Sequence, residues 1–307
     1  MSTGKALGRA AGLIALKGLA ALVQLLPLPA GLAVGRRLGD LMRLLSRKRR
    51  HVAMKNLCLA FGDSLTQAQR QKIVRESFQS FGMFPVEVMK FGRMEQEEAD
   101  RRVDISSLYP DILELQRHGK GILLITGHIG NFEIGARCLT SRGHEVIALA
   151  RESRDRGTTE MMTRARARLG IRVVTLRQSL RPVLAGLKRN AIVAIICDQN
   201  AADVFVPFFG HLTGTADGPA RLALKTGAPL LFFCTVRRGS GRYAALSYGH
   251  LWAEPTGDTP ADVQRITAEL NRRLEQMIRD YPGQWLWFHD RWKSSPVGRS
   301  AVLPAVS

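Results

Sequence analysis

The sequence predicts an α/β fold, a sheet flanked by helices, preceded by an N-terminal hydrophobic helical segment that associates with a membrane. Three observations carry this expectation. From Gly121 onward, short apolar runs alternate with amphipathic stretches, as strands and helices do when they follow one another. From Asn56 to Glu98 the pattern is helical, with Ile73, Phe78, Phe81, Val86 and Met89 supplying apolar faces. The first 60 residues hold eleven Lys or Arg and one acid, Asp40, around an uncharged run from Gly18 to Gly35.

That run is marginal for a spanning helix, which needs about 20 apolar residues, and Pro27 and Pro29 interrupt it. No small-residue cleavage site follows, which argues against a secretory signal. Two membrane readings stand. One helix crosses and the downstream charge of Arg36, Arg37, Arg43 and Arg47-Lys48-Arg49-Arg50 keeps the body cytoplasmic. Alternatively an amphipathic hairpin lies in the interface beside anionic headgroups. A buried core helix with a solvated basic face is the plain alternative to both. Residues 1–46 are therefore assigned to this segment, 47–295 to the main domain and 296–307 to a frayed tail.

Within the main domain, Ser64 with Gln67 three residues on resembles a capping box. The expected strands are Ile122–Thr126, Glu145–Ala150, Arg172–Leu176, Ala191–Cys197 and Pro229–Val236. The expected helices are Phe132–Thr140, Thr158–Leu169, Leu180–Lys188, Pro219–Thr226 and Ala261–Asp280. No internal repeat and no composition break marks a second domain.

The 307 residues include 45 Lys or Arg and 26 Asp or Glu, a net charge of +19. Hydrophobic residues at 45% exclude disorder for most of the chain. Cys58, Cys138, Cys197 and Cys234 sit in mostly apolar surroundings without a CxxC pair, which excludes a disulfide scaffold and argues for buried reduced thiols. The charge asks for an anionic partner: nucleic acid, anionic lipid or an acidic protein. No nucleic-acid motif accompanies it, and no metal or cofactor motif is present.

The stretch Ile125-Thr126-Gly127-His128-Ile129-Gly130-Asn131-Phe132-Glu133 carries chemistry. A strand runs into a Gly-flanked His, and Asn131 can cap the helix that follows. On one continuous helix, five residues would turn His128 and Glu133 about 140° apart. With His128 on the loop before the helix, the Glu133 carboxylate can fold back toward the imidazole, the geometry of a general base held by an acid. Ligands of open α/β sheets gather at strand carboxyl ends. Arg151 follows the next expected strand, and Asp198-Gln199 ends a third. No Gly-x-Ser-x-Gly elbow or other nucleophile accompanies the base, which suits direct attack by a substrate hydroxyl or amine.

Gly127 to Glu133 resembles the His-x4-Asp/Glu signature of glycerolipid-type acyltransferases, and more specifically the lipid A late acyltransferases, the lauroyl and myristoyl acyltransferases. Four further blocks, in order, resemble the same family. They are Arg47–Arg50 with Asn56-Leu57 and Ala60-Phe61; Asp198-Gln199 through Val204–Gly210; Thr215, Gly218–Ala223 and Thr226–Pro229; and Tyr281-Pro282, Gln284–His289 and Arg291-Trp292-Lys293. The resemblance implies a mixed sheet flanked by helices and no cofactor. It implies transfer of a fatty acyl chain from an acyl carrier protein thioester to a hydroxyl of a lipid A precursor, a phosphorylated glycolipid, at the cytoplasmic face of the inner membrane. His128 matches the family's base and Glu133 its partner; Arg151, Asp198 and Gln199 match supporting polar positions. Backbone N–H groups of Gly130 and Asn131 at the helix N-terminus are candidates to hold the oxyanion, with Arg151 as another. Phe205, Phe208 and Phe209 are candidates to line an acyl pocket, with core packing or a membrane-dipping loop as alternatives. Trp285, Trp287 and Trp292 either anchor at a headgroup interface or pack in the core. Phosphatidylinositol mannoside and lysophospholipid acyltransferases share much of the pattern. A basic lipid-binding protein without catalysis is the reading from a different class.

Overall fold

A computed structural model describes residues 23–150, 156–175 and 180–294. Helices α1 (Leu28–Leu45), α2 (Arg47–Phe61), α3 (Gln67–Phe91) and α4 (Gln96–Arg102) come first. Then follow β1 (Val103–Asp104), α5 (Tyr109–Gln116), β2 (Ile122–Thr126), α6 (Phe132–Thr140), β3 (Val146–Ala150), α7 (Arg156–Arg168), β4 (Arg172–Thr175), α8 (Arg181–Lys188) and β5 (Ile192–Ile196). A hairpin of β6 (Val204–Phe208) and β7 (His211–Thr215) leads to α9 (Gly218–Thr226), β8 (Leu230–Gly239), β9 (Arg242–Leu251) and α10 (Thr259–Asp280). The strands and helices expected after Gly121 are all present, Ile122–Thr126 and Phe132–Thr140 with the expected bounds and the others with shifted ends; Leu176 lies outside the described residues. Strand β9 and the hairpin were not anticipated.

Seven strands form one mixed sheet in the order β1-β9-β8-β2-β5-β3-β4. All neighbours are parallel except β8 and β9. Strand β2 is buried on both faces, as a parallel strand covered by helices must be, and β5 is buried apart from half-buried Ala194 and Ile196. The chain leaves β2 for β3 and β4, then returns through α8 to insert β5 between β2 and β3. This makes β2 and β5 hydrogen-bonded neighbours, with Thr126 opposite Ile196.

The helical pattern from Asn56 to Glu98 is divided among α2, α3 and α4. Its capping box is Thr66 with Gln69, both reciprocal bonds being made, two residues beyond the expected Ser64–Gln67 pair. Ser64 instead closes a 3₁₀ turn onto the Phe61 carbonyl.

The described part of the N-terminal segment is helical. No helix among the described residues is long and apolar enough to cross a membrane. Residues up to Leu22 lie outside the described part, and the rest of the uncharged run enters α1, which packs along α3. The contact is backbone to backbone. A Cβ on Gly82 would lie 2.2 Å from the Gly35 carbonyl oxygen, and one on Gly39 would lie 2.3 Å from that of Phe78. Asp40 receives bonds from Arg75 (3.0 Å) and Gln79 (3.1 Å) across the same interface. On its outer side α1 leaves Leu38, Leu41, Leu44 and Leu45 exposed.

The three C-terminal tryptophans are buried in the core rather than placed at a surface. Phe208 stacks among Phe209, Trp285 and Trp292. Fully buried Arg291 lies 4.7 Å over the Phe208 ring and donates to the Gly214 carbonyl (2.6 Å) and Thr215 Oγ1 (2.8 Å). Burial lowers its pKa to about 10.

Replacing Gly82 by Leu puts side-chain atoms where the α1 backbone runs, and no rotamer relieves a backbone clash. The gain in helix propensity is smaller than the loss. The variant is expected to lose about 1–3 kcal/mol of stability, read as a lower midpoint of denaturant unfolding at unchanged slope.

Candidate active site

The register of β2 and β5 builds the site. His128 and Asp198 each stand two residues beyond the paired residues Thr126 and Ile196, so both emerge at the same point of the carboxyl edge. Asp198 Oδ1 lies 2.7 Å from His128 Nδ1, and Asp198 Oδ2 accepts the His128 backbone N–H at 2.7 Å. The indole Nε1–H of Trp285 donates to the same Oδ2 at 2.7 Å. Asp198 is buried while the imidazole stays partly open. With Nδ1–H donating to the carboxylate, the Nε2 lone pair is left to face solvent or substrate.

The two groups shift each other. Burial alone would raise the Asp198 pKa, but the adjacent imidazole and three N–H donors bring it down to about 2. Burial alone would lower the His128 pKa; the Asp198 charge and hydrogen bond outweigh it and raise it above 6.5. The His128 contribution to stability is thus fully present below pH 6.5 and is lost as pH rises through the elevated value.

Glu133, in the first turn of α6, is buried and pairs with Arg166 of α7, Oε1 lying 2.7 Å from the guanidinium Nε. The hydrogen-bonded carboxylate partner of His128 is therefore Asp198. Glu133 reaches the imidazole through its charge, which adds to the upward pull on His128. Burial raises the Glu133 pKa, against the pull of Arg166.

Asn131 caps α6 as its spacing suggested, Oδ1 accepting from Ile134 N–H. The oxyanion expectation for Gly130 and Asn131 does not fit the hydrogen bonding. Gly130 N–H donates to the Gln284 carbonyl (3.0 Å) and Asn131 N–H to that of Thr235 (2.7 Å). Gly130 has φ +58°, and its Cα presses on Thr235 so closely that a Cβ would fall 1.9 Å from that carbonyl oxygen. The N–H groups of Phe132 and Glu133, next along the helix, have no partner among the described residues. Arg151 lies outside the described residues.

His128 sits between two cavities. The larger, about 630 Å³, is bordered by Thr126, Glu133, Ala148, Ala194, Gln199 and Lys225 among others; the smaller, about 180 Å³, by Phe81, Phe84, Phe132 and Leu286. Both touch Arg166 and Ile196. Phe205, Phe208 and Phe209 line neither. Phe208 and Phe209 are core residues because the hairpin folds onto α10, where Asn271 holds the Pro207 carbonyl at 2.9 Å. Cys197 borders the larger cavity, but burial pushes its thiol up to about 12, so it offers no thiolate nucleophile at neutral pH.

Sequence reasoning missed Arg166, Trp285 as the donor to Asp198, and the buried group of Glu87, Arg237 and Tyr243 behind the loop. Arg166 is one of many arginines in a basic stretch, and nothing in spacing separates it from its neighbours. Trp285 fell in a recognised block, but its polar contact depends on the fold.

A carboxylate-held imidazole thus stands at the edge of a mixed sheet and opens on largely apolar space. The chain belongs to the family described as bacterial lipid A biosynthesis acyltransferase, whose sequence profile matches residues 7–294. It is thus a member of an acyl-transferring enzyme family. It is 28% identical over 282 residues to a lipid A biosynthesis palmitoleoyltransferase of Escherichia coli (strain K12), covering 90% of this chain and 89% of that protein. It is 27% identical over 282 residues to a lipid A biosynthesis lauroyltransferase of the same organism, covering 90% of each. A phosphatidylinositol mannoside acyltransferase of Mycobacterium tuberculosis (strain CDC 1551 / Oshkosh) is 27% identical over 223 residues, covering 70% of this chain and 69% of that protein.

Replacing Asp198 by Asn removes the charge that raises the His128 pKa and leaves burial, which lowers it. The acid limb of the pH–rate profile is expected to move to lower pH. The plateau rate should fall by about 10²–10⁴ because the tautomer and the imidazolium both lose their support. Steady-state rates from pH 5 to 9 check both.

Proposed function

We propose that the protein moves a fatty acyl chain from an acyl carrier protein thioester to a hydroxyl of a lipid A precursor, with His128 as general base. The observation that carries this reading is the open Nε2 of a carboxylate-held imidazole between two cavities, the larger reaching apolar sheet residues such as Ala148 and Ala194.

The acceptor hydroxyl oxygen attacks the thioester carbonyl carbon as His128 Nε2 takes its proton. Asp198 offsets the imidazolium charge. The tetrahedral intermediate collapses with cleavage of the C–S bond, and His128 returns the proton to the departing sulfur. The Phe132 and Glu133 N–H groups at the α6 N-terminus, with Arg166, are the donors proposed for the developing oxyanion; one such donor contributes about 10²–10³ in rate. Glu133 orients Arg166 and adds negative charge near the imidazole.

The net charge of +19 suits a phosphorylated acceptor, an acidic carrier and an anionic membrane surface. The exposed leucines of α1 beside Arg36, Arg37 and Arg47–Arg50 favour interfacial attachment at the cytoplasmic face of the inner membrane. The mycobacterial relative favours a second reading with the same chemistry and a glycolipid acceptor other than lipid A.

Detergent-solubilised protein incubated with acyl carrier protein thioesters of several lengths and a lipid A precursor should yield product one acyl chain heavier, followed by mass. The His128→Ala variant should lose about 10²–10⁴ in rate while melting like the parent. Product with acyl-CoA instead would move the donor, and product with another glycolipid the acceptor. Retained turnover in His128→Ala would remove the mechanism.

A further inference from the structure

Joined through Asn131 to the loop that carries His128 is another buried carboxylate, which the chemistry above does not use. Glu87, on α3, has no solvent exposure, and both its oxygens are fully engaged. Oε1 accepts from Arg237 Nε (2.5 Å) and the Tyr243 hydroxyl (3.0 Å); Oε2 accepts from a second Arg237 nitrogen (2.6 Å) and from Asn131 Nδ2 (2.7 Å). Glu87 borders neither cavity that holds His128.

The bonds close a ring through the loop. Asn131 joins Glu87; Gly130, one residue before, donates to the Gln284 carbonyl; and Gln284 bonds both ways with the Arg237 backbone, accepting its N–H at 2.9 Å and donating to its carbonyl at 3.1 Å. Arg237 returns to Glu87. Arg237 also reaches Ser80 Oγ at 2.7 Å, fixing the ring to α3 two turns before Glu87. The His128 carbonyl accepts Leu286 N–H at 3.1 Å, so the loop is tied at both ends of the stretch from His128 to Asn131.

A buried ion pair is a poor way to gain stability, because desolvation offsets the attraction and apolar residues of like volume do as well. What it provides is direction. A bidentate guanidinium leaves the carboxylate one orientation, and that orientation aims Oε2 at Asn131. Asn131 in turn sets where α6 begins, and with it Phe132 and Glu133.

We propose that Glu87 is a positioning residue for the reaction inferred above: through Asn131 it fixes the loop that carries His128 and the first turn of α6. For its kinetic consequence this rests on the proposed function; for its geometric consequence it does not. Three variants test it. Asn131→Ala cuts the tie and leaves the Glu87–Arg237 pair intact. Glu87→Gln keeps shape and removes charge. The double variant Glu87→Met with Arg237→Met replaces the pair by apolar volume.

Two readings are taken on detergent-solubilised protein of each variant, with a thermal melt beside them. The first is the His128 titration by imidazole NMR without substrate, assigned by the signal missing in His128→Gln. The charged and titratable groups facing His128 are Asp198, Glu133, Arg166 and His289, and none is altered. Loosening the loop weakens both His128–Asp198 bonds, so the titration should move to lower pH in Asn131→Ala and in the double variant. The second is kcat and KM for an acyl carrier protein thioester, with kcat expected to fall about 10- to 100-fold, the effect of a displacement of about 1 Å. A folded Asn131→Ala or double variant with unmoved titration overturns the proposal, even if rate is lost, since the His128–Asp198 contact has then not been loosened. If the double variant does not fold, Asn131→Ala decides. If the parent transfers no acyl group, the functional reading falls and the titration still decides the positioning role.

Discussion

The carboxylate of Asp198 is the point to which most of the molecule is tied. It is buried, it accepts three N–H groups, and those donors come from distant parts of the chain: the backbone and ring of His128 after β2, and the indole of Trp285 after α10. An isolated ionised carboxylate in such a place would be costly. Here the imidazole and the donors more than offset that cost, which is why its pKa falls to about 2 rather than rising. The same contacts hold one tautomer of His128 and seat the C-terminal segment over the sheet edge.

The loop that carries His128 is therefore gripped from two sides. Asp198 holds His128 at the strand edge, while the Glu87–Arg237 pair holds Asn131 from the α3 side. Helix α3 carries α1 as well, against Gly82, so the segment that presents exposed leucines is seated on the element that braces the loop. Polar groups concentrate where the strands end, and the space they face is largely apolar. This division suits a reaction in which a long apolar chain is carried past a single proton-transferring group.

Much of the architecture was legible because apolar runs have a period. Ile122–Thr126 and Phe132–Thr140 are present with their expected bounds, and β5 and α8 differ from expectation by a residue at their ends. Strand β9 was missed because Arg242–Leu251 is partly open along its second half and carries no continuous apolar run. The capping box was placed two residues early because Ser64-x-x-Gln67 and Thr66-x-x-Gln69 overlap, and only the turn before them decides between the two. From Leu28 onward the glycines of the uncharged N-terminal run serve close packing against α3, a use that hydropathy does not register.

The site divides in the same way. Sequence by itself determined that a His stands on a Gly-flanked loop between a buried strand and a capped helix, that Glu133 lies in the first turn, and that Asp198 ends a strand. These are local facts, set by backbone propensity and spacing. Which carboxylate takes the imidazole was decided by strand order. Inserting β5 beside β2 puts Asp198 level with His128, whereas Glu133 turns to Arg166, 33 residues away on another helix. Phe208 and Phe209 went to the core because their hairpin folds onto α10. Contacts between residues far apart in the chain leave no periodic trace, since they depend on the order in which strands pair, and that order is fixed by the packing of the whole sheet.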